Sequence, residues 1–303
     1  MIIKLKNNLG TFSIKDIEAV SGIKCHTLRV WEQRYNIFTP KRTETNIRYY
    51  DDDDLKLILN ISILNKYGYK ISDISKMTNA EISEAILKIS ENKNEFSFQI
   101  NGLVQTMMTF DEKAFHKILT KNIQEFGLEK VFLQIIFPFM KEVGLLWQVG
   151  SVQPSHEHFV SNIIKQKLFA CIDECIGDYV PNHKRFLLFL PEKEKHSLGL
   201  LFANYIIRKR GHEVLYLGQE VPIKNLNEIY HGQSPDFVFT ILTSTHLDID
   251  KQKFVNQLAA SWKKTTILLS GIQFFIEELV FPENVKLLRS PEDFIQFVNN
   301  LNS

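Results

Sequence analysis

Three hydrophobic patterns succeed one another along the chain. Up to about residue 78 the apolar positions have helical spacing in short stretches. Ile14, Ile17 and Val20 form one stripe that stops at Ser21-Gly22, and a second helix is predicted from Lys24 to about Tyr35, with Leu28 and Trp31 turned inward. A segment with Pro40, Thr43, Thr45 and Asn46, closed by Ile47-Arg48-Tyr49-Tyr50, reads as a β-hairpin. Asp51 to Asp54 then open a helix through Leu55, Ile58, Leu59, Ile63 and Leu64 to Gly68, since acids at a helix start complement its dipole, and a short helix follows from Ser72. From about 98 to 180 the helical spacing is continuous, with helices from Asp111, over about Leu128 to Trp147 and from Pro154 to Ile176.

Beyond residue 183 the pattern changes to short apolar runs, which suit buried parallel strands: Phe186–Leu190, Val214–Leu217, Phe237–Leu242, Ile267–Leu269 and Val285–Leu288. Helical segments alternate with them at Leu198–Lys209, Ile223–Tyr230, Leu247–Trp262, Phe274–Leu279 and from Pro291. The predicted architecture is multidomain: an N-terminal winged helix-turn-helix (1–78), a polar helical linker (79–97), a central four-helix bundle (98–180) and a C-terminal doubly wound, flavodoxin-like α/β domain (183–303).

Charge sharpens this picture only locally. The chain nets +1, yet residues 1–50 hold nine Lys/Arg against four Asp/Glu, a difference of +5. Two helices followed by a basic hairpin suit a polyanion, and the candidate contacts are Lys24, His26, Thr27, Arg29 and Arg34 on the second helix with Lys41, Arg42, Arg48 and Tyr49 on the wing. Three cysteines (Cys25, Cys171, Cys175) argue against a disulfide framework. With no secretory leader and no apolar run near ~18 residues, a cytoplasmic protein without a membrane segment is expected.

The motif Thr27-Leu28-Arg29-x-Trp31-Glu32-x-Arg34-Tyr35, followed by Pro40-x-Arg42-Thr43 and Arg48-x-Tyr50, resembles the MerR family of regulators, and in its Trp-Glu-x-Arg-Tyr form the light-responsive, cobalamin-binding branch of that family. The resemblance implies operator DNA as partner. It gives backbone contacts to Arg29, Arg34, Arg42, Arg48 and Tyr49, and base reading to the Lys24–Thr27 end. Such regulators act as homo-oligomers; residues 79–97 are too polar for a coiled coil, so a dimer or tetramer is expected to assemble through the later domains.

A second resemblance lies just after the first run of the α/β domain. Glu194-x-His196-x-x-Gly199 is similar to the Asp-x-His-x-x-Gly motif of cobalamin-binding domains, which implies His196 as lower ligand of the cobalt, Glu194 as its orienting carboxylate, and Gly199 as room for a bulky ligand. Thr243-Ser244-Thr245 and Ser270-Gly271 stand where that family places its later motifs, with Ser270 in place of a glycine. Trp147, with Glu157 and His158 ten and eleven residues later, resembles the signature that caps the upper face of adenosylcobalamin. Gln148 stands where the photoreceptor branch has a second cobalt-binding histidine. The expected function is a DNA-binding transcriptional regulator, a repressor by resemblance, controlled by adenosylcobalamin. The alternatives are a cofactor-free regulator whose later domains serve protein interaction, and a cobalamin-dependent enzyme, which the DNA-binding block argues against.

Overall fold

The structure, a computed structural model, describes residues 11–43, 45–82, 84–85, 96–148, 152–177, 179–224, 226, 235–244, 249–276 and 278–301, with the backbone alone at 52 and 148. The chain divides into two compact units, residues 1–163 and 164–303.

The first unit begins with α1 (Ile14–Ser21) and α2 (Cys25–Tyr35). Ser13 and Asp16 form a reciprocal capping box that satisfies two backbone donors at the start of α1, and Gly22, at φ 72°, ends it in the left-handed region. The wing is a two-stranded antiparallel hairpin, β1 (Lys41–Arg42) against β2 (Arg48–Tyr49), with Lys41 opposite Tyr49. Tyr50, fully buried, bridges back to Phe12 through two backbone hydrogen bonds of 2.7 and 2.9 Å, which tie the wing to the chain ahead of α1. The Asp51–Asp54 run is a helix start: the two residues form a second capping box on α3 (Asp52–Lys66). α4 (Ile71–Ile74) follows. Ile17, Val20, Leu28, Trp31, Leu55, Ile58 and Leu59 form the core.

The bundle opens with α5 (Ser97–Met108) and α6 (Glu112–Phe126), the latter capped by the Asp111 carboxylate on Ala114 N–H. The single helix expected over about 128–147 is α7 (Leu128–Val131) and α8 (Phe137–Gln148) joined by a π-turn, Phe132–Ile136. Pro138 explains the interruption. It has no N–H to give the carbonyl four residues back, and Phe137 N–H reaches five residues back to Phe132. α9 (Pro154–Asp173) is the fourth helix; its first turns pack Phe159 on Phe110 at 5.3 Å.

The second unit holds a five-stranded, wholly parallel sheet in the order β4-β3-β5-β6-β7, namely β4 (Glu213–Val221), β3 (Arg185–Pro191), β5 (Phe237–Ile241), β6 (Thr266–Ser270) and β7 (Val285–Leu288). This is the flavodoxin-like order, and its direction reverses between β3 and β5. Ligands of such sheets bind beyond the strands' carboxyl ends at that reversal. α10 (Leu198–Lys209), α11 (Lys251–Ser261) and α12 (Pro291–Asn299) are the helices described around it. Most of the helix expected over 223–230 lies outside the described residues. So does the start of the one expected from Leu247, whose described part begins after the Asp250 cap. The helix expected at Phe274–Leu279 is instead a single 3-10 turn, Ile272–Phe275, preceded by Gly271 at φ 104°. Among the described residues no helix is long and apolar enough to cross a membrane.

Candidate functional site

Two sets of side chains stand out. The first is the face of α2 and the wing. Leu28 and Trp31 anchor α2 from below, which leaves His26, Arg29 and Arg34 exposed. The N-terminal end is more constrained than its sequence suggests. Glu18 of α1 accepts the Cys25 N–H at 2.9 Å and pairs with Lys24 at 3.3 Å, so Cys25, with thiol and backbone, and Lys24 hold the Glu18 carboxyl down at about 2. Lys24 therefore spends its charge beside a carboxylate ahead of the helix, and Thr27 Oγ1 lies 3.3 Å from His26 Nε2.

On the wing, Lys41 pairs with Asp51, and Arg42 Nη1 donates to Asn46 Oδ1 at 2.9 Å. Arg34 lies over the Tyr35 ring, 5.5 Å from its centroid. Arg48 departs furthest from a phosphate contact: its Nε donates to Glu32 Oε2 at 3.2 Å, both partners are partly buried, and the pair ties the wing to α2. Tyr49 beside it is half-buried.

The second set crowns the sheet at its reversal. After β3 the chain turns through Lys193, which takes a positive φ of 70°, and this turn sends Glu194 inward. Glu194 is 1% exposed. Its Oε1 accepts from His196 Nδ1 at 2.7 Å and from His196 N–H at 3.0 Å. Its Oε2 accepts from Thr243 N–H at 2.7 Å, Ser244 N–H at 2.8 Å and Thr243 Oγ1 at 3.3 Å, all in the loop after β5. Burial opposes the charge, but the bonds from His196, Ser244 and Thr243 outweigh it and hold the carboxyl at about 2. A carboxylate fixed in this way sets the tautomer of a neutral His196: Nδ1–H donates to Glu194, and Nε2 is the unprotonated nitrogen of a ring that is 65% exposed.

Glu194, His196 and Thr243 are thus brought together. Ser244 belongs with them and was not predicted; its contribution is a backbone N–H, which no side-chain motif signals. Thr245 lies outside the described residues. Three expected residues have other duties. A Cβ on Gly199 would come 3.1 Å from Ile241 Cδ1, so the space it leaves is filled by the sheet. A Cβ on Gly271 would strike the Leu242 carbonyl oxygen at 2.1 Å, so this glycine permits the β5 and β6 ends to close on each other. Ser270 turns its hydroxyl to the Leu288 carbonyl at 3.0 Å, toward β7 and away from the β3–β5 loops.

In the first unit Trp147, at the end of α8, is 54% exposed and is no core aromatic. Glu157 Oε2 lies 3.0 Å from His158 Nδ1, a second carboxylate–imidazole pair. His156 is taken up by structure: its Nδ1 accepts the Gln153 N–H at 3.1 Å and its ring packs at a tilt against Phe110 with centroids 4.5 Å apart, with burial pushing its pKa down despite that bond.

One unit thus presents a basic helix-and-wing face, and the other a carboxylate-oriented imidazole at the ligand end of a flavodoxin-like sheet. Together they define a DNA-binding regulator carrying a sensor domain. Residues 12–81 match the MerR HTH family of regulatory proteins and residues 99–172 match the B12 binding domain, so the chain joins a MerR-type DNA-binding domain to a B12-binding domain. It is 26% identical over 236 residues to the HTH-type transcriptional repressor CarH of Myxococcus xanthus, covering 75% of this chain and 77% of that one. To the repressor CarA of the same organism it is 24% identical over 230 residues, covering 75% of each. Among solved structures it is similar to the monomethylamine corrinoid protein of Methanosarcina barkeri, with TM-score 0.56 and 10% identity, over 68% of this chain and 99% of that one, a likeness of fold.

Proposed function

We propose that this chain is a transcriptional repressor that holds operator DNA through α2 and the wing, and whose hold is set by a cobalamin bound through His196. The observation that carries this reading is the buried Glu194 carboxylate bonded to His196 Nδ1 at the strand reversal. The donor set fits the group: a neutral imidazole is a good cobalt ligand, and a hydrogen-bonded carboxylate raises its basicity. When bound, cobalamin would supply a cobalt that takes a protein imidazole, here that of His196, together with an exchangeable ligand.

The chain's own residues do the rest. Glu194 keeps the proton on Nδ1 and excludes the other tautomer, while the Thr243 and Ser244 N–H groups keep Glu194 ionised. Trp147, Glu157 and His158 are the candidates for contact with an adenosyl upper ligand, and that form of the cofactor is part of the proposal. Within the first unit, α1 and α3 line a groove of about 720 Å³ together with α5 and α8, so a change in the bundle bears directly on the elements that carry α2. Homo-oligomerisation would convert such a change into a large change in operator affinity by avidity.

The test is direct. Purified full-length protein is mixed with adenosylcobalamin in darkness, desalted, and its visible spectrum recorded beside His196→Ala, with operator binding measured on both. Retained absorbance that shifts or is lost in the variant, together with cobalamin-dependent DNA binding, is expected. A wild-type protein that retains no colour overturns the cofactor reading and leaves the DNA-binding domain serving a cofactor-free regulator. Light control is a further part of the proposal, motivated by Trp147 and Glu157, and DNA affinity unchanged by illumination of the loaded protein removes it.

A further inference from the structure

The outer face of α2 can be resolved into a reading ridge and two flanks. Successive residues turn by about 100°, so positions 26, 30 and 33 (i, i+4, i+7) fall on one line. Leu28 and Trp31 are buried on the opposite side. Arg29 and Arg34 lie to either side of the ridge, where a helix in the major groove meets the two phosphate backbones. The ridge is His26, Val30 and Gln33, all exposed, and Val30 is 47% exposed with no apolar neighbour required of it by the core. The residues expected to read bases, Lys24 and Thr27, are less suited. Lys24 precedes the helix and is paired with Glu18, and Thr27 lies off the ridge.

We infer that Val30 and Gln33 are the specificity-determining residues of this regulator, and that they read an A·T-containing step in each half-site. Val30 packs its methyl groups on the 5-methyl of a thymine, and the Gln33 carboxamide pairs with N6 and N7 of an adenine. The chemistry is selective because only thymine places an apolar group in the major groove, and only adenine offers a donor beside an acceptor in the arrangement that a carboxamide matches. A β-branched side chain adds little rotamer entropy to such a contact. Arg29 and Arg34 then fix the helix in the groove without reading sequence. This inference rests on the DNA-binding reading above and extends it to the identity of the bases.

The test uses the full chain and a randomised duplex pool. Sequences enriched by wild type are aligned, and each selected thymine is replaced by deoxyuridine, which removes only the methyl. At one thymine per half-site this weakens wild-type binding about fourfold, the effect of one methylene-sized apolar group. Val30→Ala binds the two duplexes equally well. At the adenine, 7-deazaadenine weakens wild type roughly tenfold and leaves Gln33→Ala unaffected. No methyl-dependent position in wild type, or the same methyl dependence in Val30→Ala, overturns the Val30 assignment. Retained sensitivity to 7-deazaadenine in Gln33→Ala overturns the Gln33 assignment. A protein that enriches no duplex overturns the DNA-binding reading and this inference with it, whereas enrichment without either dependence overturns this inference alone.

Discussion

The recognition face and the crest of the sheet use charge in opposite ways. On α2 and the wing, the basic side chains are mostly exposed, and those with internal partners have one each: Lys24 with Glu18, Arg34 with Tyr35, Lys41 with Asp51, Arg42 with Asn46 and Arg48 with Glu32. At the crest a single carboxylate, almost wholly buried, accepts five hydrogen bonds from three residues of two loops. A surface that meets a polyanion can be diffuse, because screened charges in water contribute small, nearly additive amounts. A site that must present one nitrogen in one tautomer is built from groups that fail together. The crest should therefore respond steeply to single substitutions and the recognition face gradually.

The largest effect is expected at Gly271. Alanine there meets the Leu242 carbonyl oxygen at 2.1 Å and needs a φ of 104°, so the ends of β5 and β6 must part. A loss on the order of 3 kcal/mol is expected, measured by denaturant unfolding; a variant as stable as wild type would show that the crest is softer than this comparison holds. Next is Glu194→Ala, which leaves the Thr243 and Ser244 N–H groups without their acceptor, at a cost of about 1–3 kcal/mol. It also frees His196 to adopt either tautomer, so any cobalt–imidazole spectrum should weaken more than the unfolding midpoint alone accounts for. The pH dependence has a definite sign. The Glu194 carboxyl is held at about 2, below its usual 4.5, so its stabilisation is complete above pH 4.5 and is lost as the pH falls towards 2. Glu194→Gln should flatten stability across that window, and an unchanged acid slope would remove Glu194 from the account.

The two regions also differed in how far the sequence exposed them. Periodicity located most of the elements, and α10 spans the predicted Leu198–Lys209 because its apolar face is unbroken and Arg210-Gly211 ends it. The π-turn before Pro138 was missed, since an apolar stripe does not register one extra residue in a turn. So was the 3-10 turn after Gly271, where an apolar pattern with helical spacing covers only one short turn. The Glu194–His196 pair is legible because its members are two residues apart. Its anchoring by Thr243 and Ser244 is not, since these lie 49 and 50 positions further along the chain than Glu194 and only the β3–β5 pairing brings them together. At the recognition face the basic residues were visible one by one, but Glu18 as the cap of α2 and Glu32 as the partner of Arg48 were not.

Smaller effects should separate the basic residues of the recognition face from one another. Arg29→Ala should weaken DNA binding evenly across sequences and lower the slope of log affinity against log salt by about one, as for one lost phosphate contact. Arg48→Ala should leave that slope nearly unchanged and lower stability instead, because Glu32 loses its partner in a partly buried place. Binding titrations over a range of salt, beside unfolding curves for both variants, read the difference. An equal fall in salt slope for the two would mean that Arg48 leaves Glu32 to meet DNA.

The smallest effect extends the comparison to a carboxylate that is partly buried and, among the described residues, has no hydrogen-bond donor. Glu142 of α8 lines the groove between the DNA-binding elements and the bundle, and burial there pushes its carboxyl above the ordinary 4.5, tempered by Lys66 of α3. The sign is opposite to that of Glu194. A carboxyl raised in the folded state is more readily protonated there than in the unfolded chain, so stability falls as the pH rises through its folded-state value, and at neutral pH the full cost is present. Glu142→Gln keeps the shape and removes the charge, so it should modestly stabilise the first unit at pH 7, with the gain fading as the pH falls below 4.5 and Glu142 is protonated in the folded and the unfolded chain alike. Unfolding curves for both proteins across that range decide the matter. A destabilised Glu142→Gln at neutral pH would mean that the attraction of Lys66 exceeds the desolvation of Glu142, and the groove would then be clamped by an ion pair.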